Sequence, residues 1–317
     1  MITLEDKTGA KAMIAPELGG WLLRYARPLP GQGLIEALHW SQEAISRYPQ
    51  EIYAGNPILF PLVGKNWLEG KAHRYRWETR LFEMPQHGFA RKSAWKVSRQ
   101  SGNGVTLELA DMEATRAIYP FQFRHRVAYR LDQGRLTWEQ RIENTGHEGL
   151  PFSTGFHPYF QVPLTGQSKR SACFVRIPEA HRVIPKGDWE SYTKRPFPAQ
   201  DWKLGNPLTE TVFLTDLAKP ELVLVDPVSA IEVVFNFEGA PKHRFVALWT
   251  RSAEAPFYCL EPWTALPNSF TRGQDLIVLE PGQVFRAAFF IEIREMTSRS
   301  LVATKSEARN SKQIHMI

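Results

Sequence analysis

Short runs in which apolar and polar residues alternate recur along most of the chain. In "FRHRVAYRL" the residues Phe123, Val127 and Leu131 alternate with arginines, and "RLTWEQRIEN" continues the pattern. A period of two places alternate side chains on one face of a strand, and "DQG" between the runs is typical of a tight turn. The two runs therefore predict a β-hairpin.

The same rhythm of short strands continues in seven further runs, "WKVSRQ", "VTLELAD", "ELVLVD", "IEVVFNF", "RFVALWT", "LIVLEPGQ" and "FRAAFFIEI". Helical periodicity is weak outside "SQEAISRYPQ", and 23 prolines and 21 glycines punctuate the strands. There is no repeat of fixed period and no low-complexity block. We therefore expect an all-β protein, a single large antiparallel sandwich over residues 1–296, followed by a disordered polar tail over 297–317.

The composition allows a large buried core, because 43% of the 317 residues are hydrophobic and 12% are aromatic. No run approaches the roughly 18 apolar residues of a membrane span, and the first residues do not resemble a secretory signal. We expect a cytoplasmic monomer or homodimer that acts without a membrane.

Charge and cysteine content narrow the choice of partners. The formal net charge is +6, but the lysines and arginines are scattered, so nucleic acid is not favoured as a partner. Cys173 and Cys259 lie far apart and form no metal-ligand spacing. Reduced thiols are expected rather than a disulfide framework.

Three stretches carry ionisable residues in stiff, aromatic or glycine-containing sequence. "PFSTGFHPYF" contains His157, and "FYCLEPW" contains Glu261; each of the two residues directly precedes a proline, which disfavours helix and holds it extended. "MPQHGFARKSAW" brings His87 and Arg91 close to Gly88. A carboxylate in an apolar strand needs a charged or hydrogen-bonding partner, or a functional role. The simpler explanation is a surface loop for His87 and a core position hydrogen-bonded to a backbone carbonyl for His157.

Two histidines and a glutamate suit general acid and base catalysis without a nucleophile. The serine of "FSTGF" lies outside any Gly-x-Ser-x-Gly motif, so serine hydrolase chemistry is not supported. Zinc held by His87, His157 and Glu261 is not favoured either, because no short histidine spacing fixes two ligands on one element. We expect no metal and no cofactor.

Seven segments, in this order, resemble the aldose 1-epimerase, or galactose mutarotase-like, family over roughly residues 15–295: "GNPILFPLVGKNW", "GKAHRYRWE", "MPQHGFARKSAW", "YPFQFRHRVAYRLDQGRLTWEQRIENTG", "PFSTGFHPYF", "CLEPWTALPNSF" and "LEPGQVF". The resemblance implies a β-supersandwich that interchanges the α and β anomers of a sugar without a cofactor. It also implies that Glu261 is the base for the anomeric hydroxyl and His157 the acid for the ring oxygen. His87 and Arg91 would hold substrate hydroxyls and stabilise the open-chain carbonyl.

The chain also departs from that family. A typical mutarotase carries a further aspartate for sugar hydroxyls, and "LTETVFLTD" offers Glu210 and Thr211 in its place. The hexose-6-phosphate branch carries an arginine where this chain has Ala54, which weakens a phosphate-binding interpretation unless Lys65 compensates. Three aromatic residues are candidates for contact with the C–H face of a sugar, although core packing is an equally simple explanation for each: Trp67, Phe160 and Trp263.

Three functions remain open from the sequence. The first is an epimerase acting at C1 of a free aldose, the second is the same activity on a phosphosugar, and the third is a non-catalytic carbohydrate-binding or regulatory module. An intact acid and base pair, His157 and Glu261, favours the enzymes. We expect a small-molecule sugar as the partner and free aldoses to be turned over at least as efficiently as their 6-phosphates.

Overall fold

The computed structural model describes residues 1–205 and 210–296 of the chain. The predicted tail over residues 297–317 lies outside the described residues. Helices are short in the part of the chain that is described: α1 Gln42–Ser46, α2 Glu113–Ile118 and α3 Ser269–Arg272, with 3₁₀ turns at Ala90–Lys92 and Arg170–Ala172. None of the described helices has the length and apolar character needed to cross a membrane.

Strands form most of the regular structure. The first fourteen are β1 Ile2–Glu5, β2 Lys11–Ala15, β3 Trp21–Leu29, β4 Gly33–Glu36, β5 Ile58–Leu59, β6 Trp67–Leu68, β7 Lys71–Ala72, β8 Arg74–Trp77, β9 Arg80–Glu83, β10 Lys96–Gln100, β11 Gly104–Ala110, β12 Phe123–Asp132, β13 Arg135–Asn144 and β14 Leu150–Phe152. The others described are β15 Gly155–Phe156, β16 Tyr159–Gln161, β17 Phe174–Ile177, β18 Ala180–Lys186, β19 Ser191–Phe197, β20 Gln200–Lys203, β21 Val212–Thr215, β22 Glu221–Asp226, β23 Ile231–Asn236, β24 Phe245–Trp249, β25 Phe257–Trp263, β26 Ile277–Leu279 and β27 Val284–Glu295.

Two large antiparallel sheets make up the body of the molecule. One has nine strands in the order β10-β11-β12-β13-β27-β23-β22-β17-β20. The other has eight, in the order β19-β18-β21-β24-β25-β15-β5, with β16 also paired to β25. Strands β1 to β4 form a separate four-stranded sheet. The predicted all-β class and antiparallel pairing are confirmed.

The predicted hairpin is the pair β12 and β13, which are in register from Phe123 opposite Asn144 to Asp132 opposite Arg135. Gln133 and Gly134 connect them with φ of 50° and 77°, the left-handed values that a tight hairpin turn requires. Burial alternates along β12, so one face of the strand is in the core and the arginines lie on the other. The alternation in the sequence therefore identified the buried face correctly.

The main core lies between the two large sheets. Trp138 of the nine-stranded sheet meets Phe156 of the eight-stranded sheet with ring centroids 5.5 Å apart. Phe160 is fully buried and packs on Phe235 at 5.6 Å. The suggestion that Phe160 contacts a sugar is therefore wrong, because alternation along β16 turns Phe160 into the core and its neighbour Tyr159 to the opposite face.

Strand β25 is buried on both of its faces. Tyr258 and Leu260 belong to the core between the sheets, whereas Cys259, Glu261 and Trp263 lie on the other face, in contact with separate small clusters. A strand that is covered on both sides can hold a polar side chain away from bulk water. Glu261 is therefore on the outer face of the eight-stranded sheet, where loops cover it.

Candidate active site

A cavity of about 520 Å³ lies against this outer face. Its wall contains all seven residues that were predicted from the sequence to be catalytic or substrate-binding: Lys65, His87, Arg91, His157, Glu210, Glu261 and Trp263. Trp67 and Thr211 also line it, whereas Phe160 does not. Residues separated by up to about 200 positions in the sequence thus meet in one concave site, and this arrangement is typical of a small-molecule pocket.

His157 lies between β15 and β16, and it faces Glu261 on β25, with which both of these strands pair. Gly155 pairs with Trp263 and Tyr159 pairs with Cys259, so His157 lies opposite Glu261. Its Nε2 atom is 3.3 Å from Oε2 of Glu261, and both side chains are more than 90% buried. The backbone N–H of His157 donates to the carbonyl of Pro57, and its ring stacks on Tyr159. The imidazole is thus held in place beside the carboxyl group.

Burial shifts the pKa values of Glu261 and His157 in opposite directions. It raises the pKa of the Glu261 carboxyl well above its ordinary value, and the guanidinium of Arg91 only partly offsets this. It lowers the pKa of His157 to about 3, and the charge of Arg91 acts in the same direction. Each group therefore favours its neutral form, and the pair holds one proton, on the carboxyl group, when the cavity contains no substrate.

His87 is held in one tautomer. It has a left-handed backbone, with φ of 66°, and the N–H of Gly64 donates to its Nδ1 at 3.1 Å. Because Nδ1 accepts that bond, the ring hydrogen must be on Nε2. Burial lowers the pKa of His87 well below its ordinary value, and the charge of Arg91 adds to this effect. His87 is thus neutral, with its hydrogen on Nε2, an atom that also lies 3.1 Å from the side-chain nitrogen of Gln86.

Arg91 supplies positive charge to the same wall. It lies in the 3₁₀ turn Ala90–Lys92, and its Nη2 donates to the carbonyl of Gln86 at 3.0 Å. Its Nε is buried and has no hydrogen-bond partner among the described residues. Burial lowers the pKa of Arg91, but a guanidinium remains charged in proteins. Arg91 can therefore donate further hydrogen bonds to a ligand.

Asn268 fixes the loop that carries Lys65 and Trp67. Its side-chain oxygen accepts a hydrogen bond from the backbone N–H of Trp67 at 2.9 Å. The backbone N–H of Asn268 donates to the carbonyl of Lys65 at 2.7 Å. Its φ of 66° is left-handed, a conformation that asparagine tolerates better than most residues. Asn268 lies within the segment "CLEPWTALPNSF", but no role for it was predicted from the sequence.

Several further residues that line the cavity were not predicted from the sequence. They are mostly aromatic or polar: Tyr53, Gln86, Lys92, Tyr159, Trp189 and Trp249. Gln86, Lys92 and Tyr159 lie within the segments that contain His87, Arg91 and His157, so their positions were a usable signal. Tyr53 and Trp189, which lie outside the strands, and Trp249, the last residue of β24, reach the site only through the tertiary fold.

Ala54 lies outside the wall of this cavity. It is fully buried, and its carbonyl accepts from the indole N–H of Trp21 at 2.8 Å. An arginine at position 54 would have to displace this packing. Cations nevertheless reach the cavity, since Lys65, Arg91 and Lys92 all line it. The cavity therefore has cationic side chains besides Arg91, even without an arginine at position 54.

Side chains that can ligate a metal also come together at one place among the described residues. The set that comes together is His157, Cys259 and Glu261, whose ligand atoms all lie within 4.8 Å of one another. This differs from the combination considered from the sequence, in which His87 took the place of Cys259. The Nδ1 atom of His87 already accepts a hydrogen bond from the backbone of Gly64.

The two packed antiparallel sheets, with the cavity on the outer face of one, have the fold of the galactose mutarotase-like proteins. The chain belongs to the aldose 1-epimerase family, whose model matches residues 1–291.

Individual relatives agree with this assignment. Chromosomal protein LacX of Lactococcus lactis is 27% identical over 234 residues, which are 69% of this chain and 77% of that protein. A protein from Synechocystis sp. PCC 6803 is 27% identical, with a TM-score of 0.78 over 93% of this chain and 95% of that one. A galactose mutarotase related enzyme from Lactobacillus acidophilus is 21% identical, with a TM-score of 0.77 over 94% and 98% of the two chains.

Proposed function

We propose that the protein interconverts the α and β anomers of an aldose by opening and reclosing the sugar ring. The observation that carries the proposal is the distance of 3.3 Å between Nε2 of His157 and Oε2 of Glu261, at the wall of a cavity that a sugar can enter. Anomer exchange needs one group that accepts a proton and one that gives a proton, and this pair meets that need.

The reaction begins when Glu261 takes the proton of the anomeric hydroxyl. The electrons of that O–H bond form the C1 carbonyl, the bond from C1 to the ring oxygen breaks, and its electron pair remains on the ring oxygen. His157 delivers a proton there. Rotation about the bond between C1 and C2 presents the other carbonyl face, and the same steps in reverse close the ring. No proton is gained or lost overall.

The reaction depends on whether the shared proton lies on Glu261 or on His157. Glu261 can act as the base only when its proton has moved to His157, a step across 3.3 Å. Sugar hydroxyl groups that donate to the carboxylate favour this charged form, because hydrogen bonding to an ionised carboxylate lowers its pKa. Substrate binding thereby prepares both groups for the reaction.

Other residues of the wall orient the substrate in this proposal. The Nε2–H of His87 and the guanidinium of Arg91 donate to the anomeric oxygen as it becomes a carbonyl, where developing charge is stabilised by fixed donors. Trp67 and Trp263 offer aromatic faces to the C–H surface of the sugar. Lys65 and Glu210 bind the remaining hydroxyl groups.

A phosphorylated hexose is the second candidate substrate. Three cationic side chains line the cavity, Lys65, Arg91 and Lys92, and together they favour the binding of a phosphate group. Carboxylates line the cavity as well, at Glu51 and Glu210, and they would repel a phosphate. We therefore retain free aldoses as the leading substrates.

The test is a measurement of anomer equilibration by polarimetry with a panel of free aldoses and their 6-phosphates. We expect acceleration with at least one free aldose, at an efficiency no lower than with its 6-phosphate. A preference of a hundredfold or more for the phosphate would select the second candidate. Sugar binding without any acceleration would contradict both enzymes and select a non-catalytic carbohydrate-binding module.

A further inference from the structure

Three buried metal-ligand side chains meet beside the cavity. Cys259 and Glu261 are two residues apart on β25, so their side chains lie on the same face of the strand. His157 comes from the adjacent chain segment, and the ligand atoms of all three residues lie within 4.8 Å of one another. A thiol, a carboxyl group and an imidazole are together the ligand types that zinc selects.

Nδ1 of His157 is buried and has no hydrogen-bond partner among the described residues. Oε2 of Glu261 is also buried, and apart from its contact with Nε2 of His157 at 3.3 Å it has no partner among them. Buried polar atoms are nearly always paired, so unpaired ones call for a ligand. His157 and Glu261 also line the cavity, which gives a small ion and a fourth, water ligand a path to the cluster.

We propose that His157, Cys259 and Glu261 form a binding site for a thiophilic divalent cation such as Zn²⁺, which inhibits the enzyme by occupying its two proton-transfer groups. In a tetrahedral zinc site with bonds of about 2.0 to 2.3 Å, neighbouring ligand atoms lie roughly 3 to 4 Å apart. Small side-chain adjustments bring the cluster to that geometry. Binding releases two protons to solvent, the thiol proton of Cys259 and the proton that the His157–Glu261 pair holds, because the cation binds a thiolate, a carboxylate and a neutral imidazole.

Arg91 sets the expected strength of this site. Its guanidinium interacts electrostatically with both Glu261 and His157, so its positive charge opposes a cation at the cluster. The site also offers three protein ligands rather than four. We therefore expect reversible binding that is weaker than in a closed structural zinc site. The inhibition rests on the proposed function, whereas metal binding by itself does not.

The direct test uses Co²⁺ as a spectroscopic probe with the full chain. We expect a thiolate-to-cobalt charge-transfer band that saturates at one ion per chain and disappears when Zn²⁺ is added. Cys259→Ser should lack the band and bind the ion more weakly by roughly tenfold or more. Cys173→Ser, which changes the other buried cysteine, is the matched control and should retain the band.

Two results would overturn the site: no charge-transfer band in the unmodified protein, or an unchanged band in Cys259→Ser. A second measurement titrates Zn²⁺ into the anomerisation assay. We expect the rate to fall over the concentrations that displace Co²⁺, and a full rate with the site saturated would overturn inhibition. A cobalt band in a protein that accelerates no sugar would contradict the proposed function alone, so the two failures are distinguishable.

Discussion

The imidazole of His157 and the carboxyl group of Glu261 lie 3.3 Å apart, on the outer face of the eight-stranded sheet, with both side chains more than 90% buried. Burial favours the neutral form of each group, so the two share a single proton. The pair therefore acts as one titrating unit, and its behaviour is expected to differ from that of an exposed histidine and glutamate.

Glu261→Gln and His157→Asn should each abolish most anomerase activity while the protein remains folded. Loss of a general acid or base costs about 10²- to 10⁴-fold in rate, or about 3 to 5 kcal/mol. The measurement is kcat/KM by polarimetry, with circular dichroism to verify the fold. Glu254→Gln changes an exposed carboxylate outside the cavity and serves as the control. Near-normal activity in both variants would contradict the mechanism, and unfolding would instead assign the pair a packing role.

The pH profile should reflect the shared proton. We expect kcat/KM to keep its value as the pH rises through 6.5, the ordinary pKa of histidine, because burial raises the pKa of Glu261 and keeps the proton in the pair. The rate should decline only above that raised pKa. An exposed histidine acid would lose about tenfold per pH unit above 6.5. A decline of that kind would show that the proton is held by a histidine with its ordinary pKa.

Acid should destabilise the fold through its buried histidines. Burial lowers the pKa of His125 and His243 to about 3, from 6.5. Below pH 6.5 these histidines become protonated in the unfolded chain but remain neutral in the folded chain. Their contribution to the free energy of unfolding is therefore complete above pH 6.5 and is lost as the pH falls towards 3. Over that range each of these histidines lowers the free energy of unfolding by about 1.4 kcal/mol for every pH unit of acidification.

Urea titrations at pH 7, 6 and 5 measure this slope. His243 packs against Phe289, and its ring nitrogens have no hydrogen-bond partner among the described residues, so His243→Phe should reduce the slope by about one histidine's share. His147→Gln changes an exposed histidine and is the control. Stability that is constant from pH 7 to pH 5 would be inconsistent with neutral buried histidines.

Gly88→Ala should disturb the cavity wall at His87. A Cβ atom at Gly88 would lie 2.2 Å from the carbonyl oxygen of Phe60, so the backbone beside His87 would have to move. We expect a loss of activity together with a destabilisation above the roughly 1 to 3 kcal/mol of left-handed strain alone. Gly31→Ala is a matched control, because Gly31 has the same φ of 69° but no described atom within 4 Å of the added Cβ. Equal stability losses in the two variants would rule out the steric explanation.

Asn268→Gly should weaken substrate binding more than it slows the reaction. Glycine retains the left-handed backbone, but the N–H of Trp67 loses its acceptor, so only the backbone hydrogen bond from residue 268 to Lys65 still holds the loop. The expected cost in folding stability is about 1 to 3 kcal/mol. Separate measurement of KM and kcat tests this, since a fall in kcat alone would assign Asn268 to the chemical step.

Sequence alone determined the local structure and the identity of the main candidate residues. Alternation with period two located the hairpin of β12 and β13 and its buried face, because one side of that hairpin is in the core and the other carries charge. The prolines after His157 and Glu261 marked both residues as held extended. Ordered motifs, rather than composition, led to the family and hence to the pairing of these two residues.

Tertiary structure decided which face of a fully buried strand meets the cavity. Along β25 every residue is buried, so hydrophobicity cannot distinguish the core face from the cavity face. The same ambiguity led to the wrong expectation for Phe160, whose neighbour Tyr159 lines the cavity instead. The proximity of Cys259 to His157, like the role of Asn268, depends on contacts between residues distant in sequence. Local patterns do not encode such contacts, because strand register and sheet packing determine them.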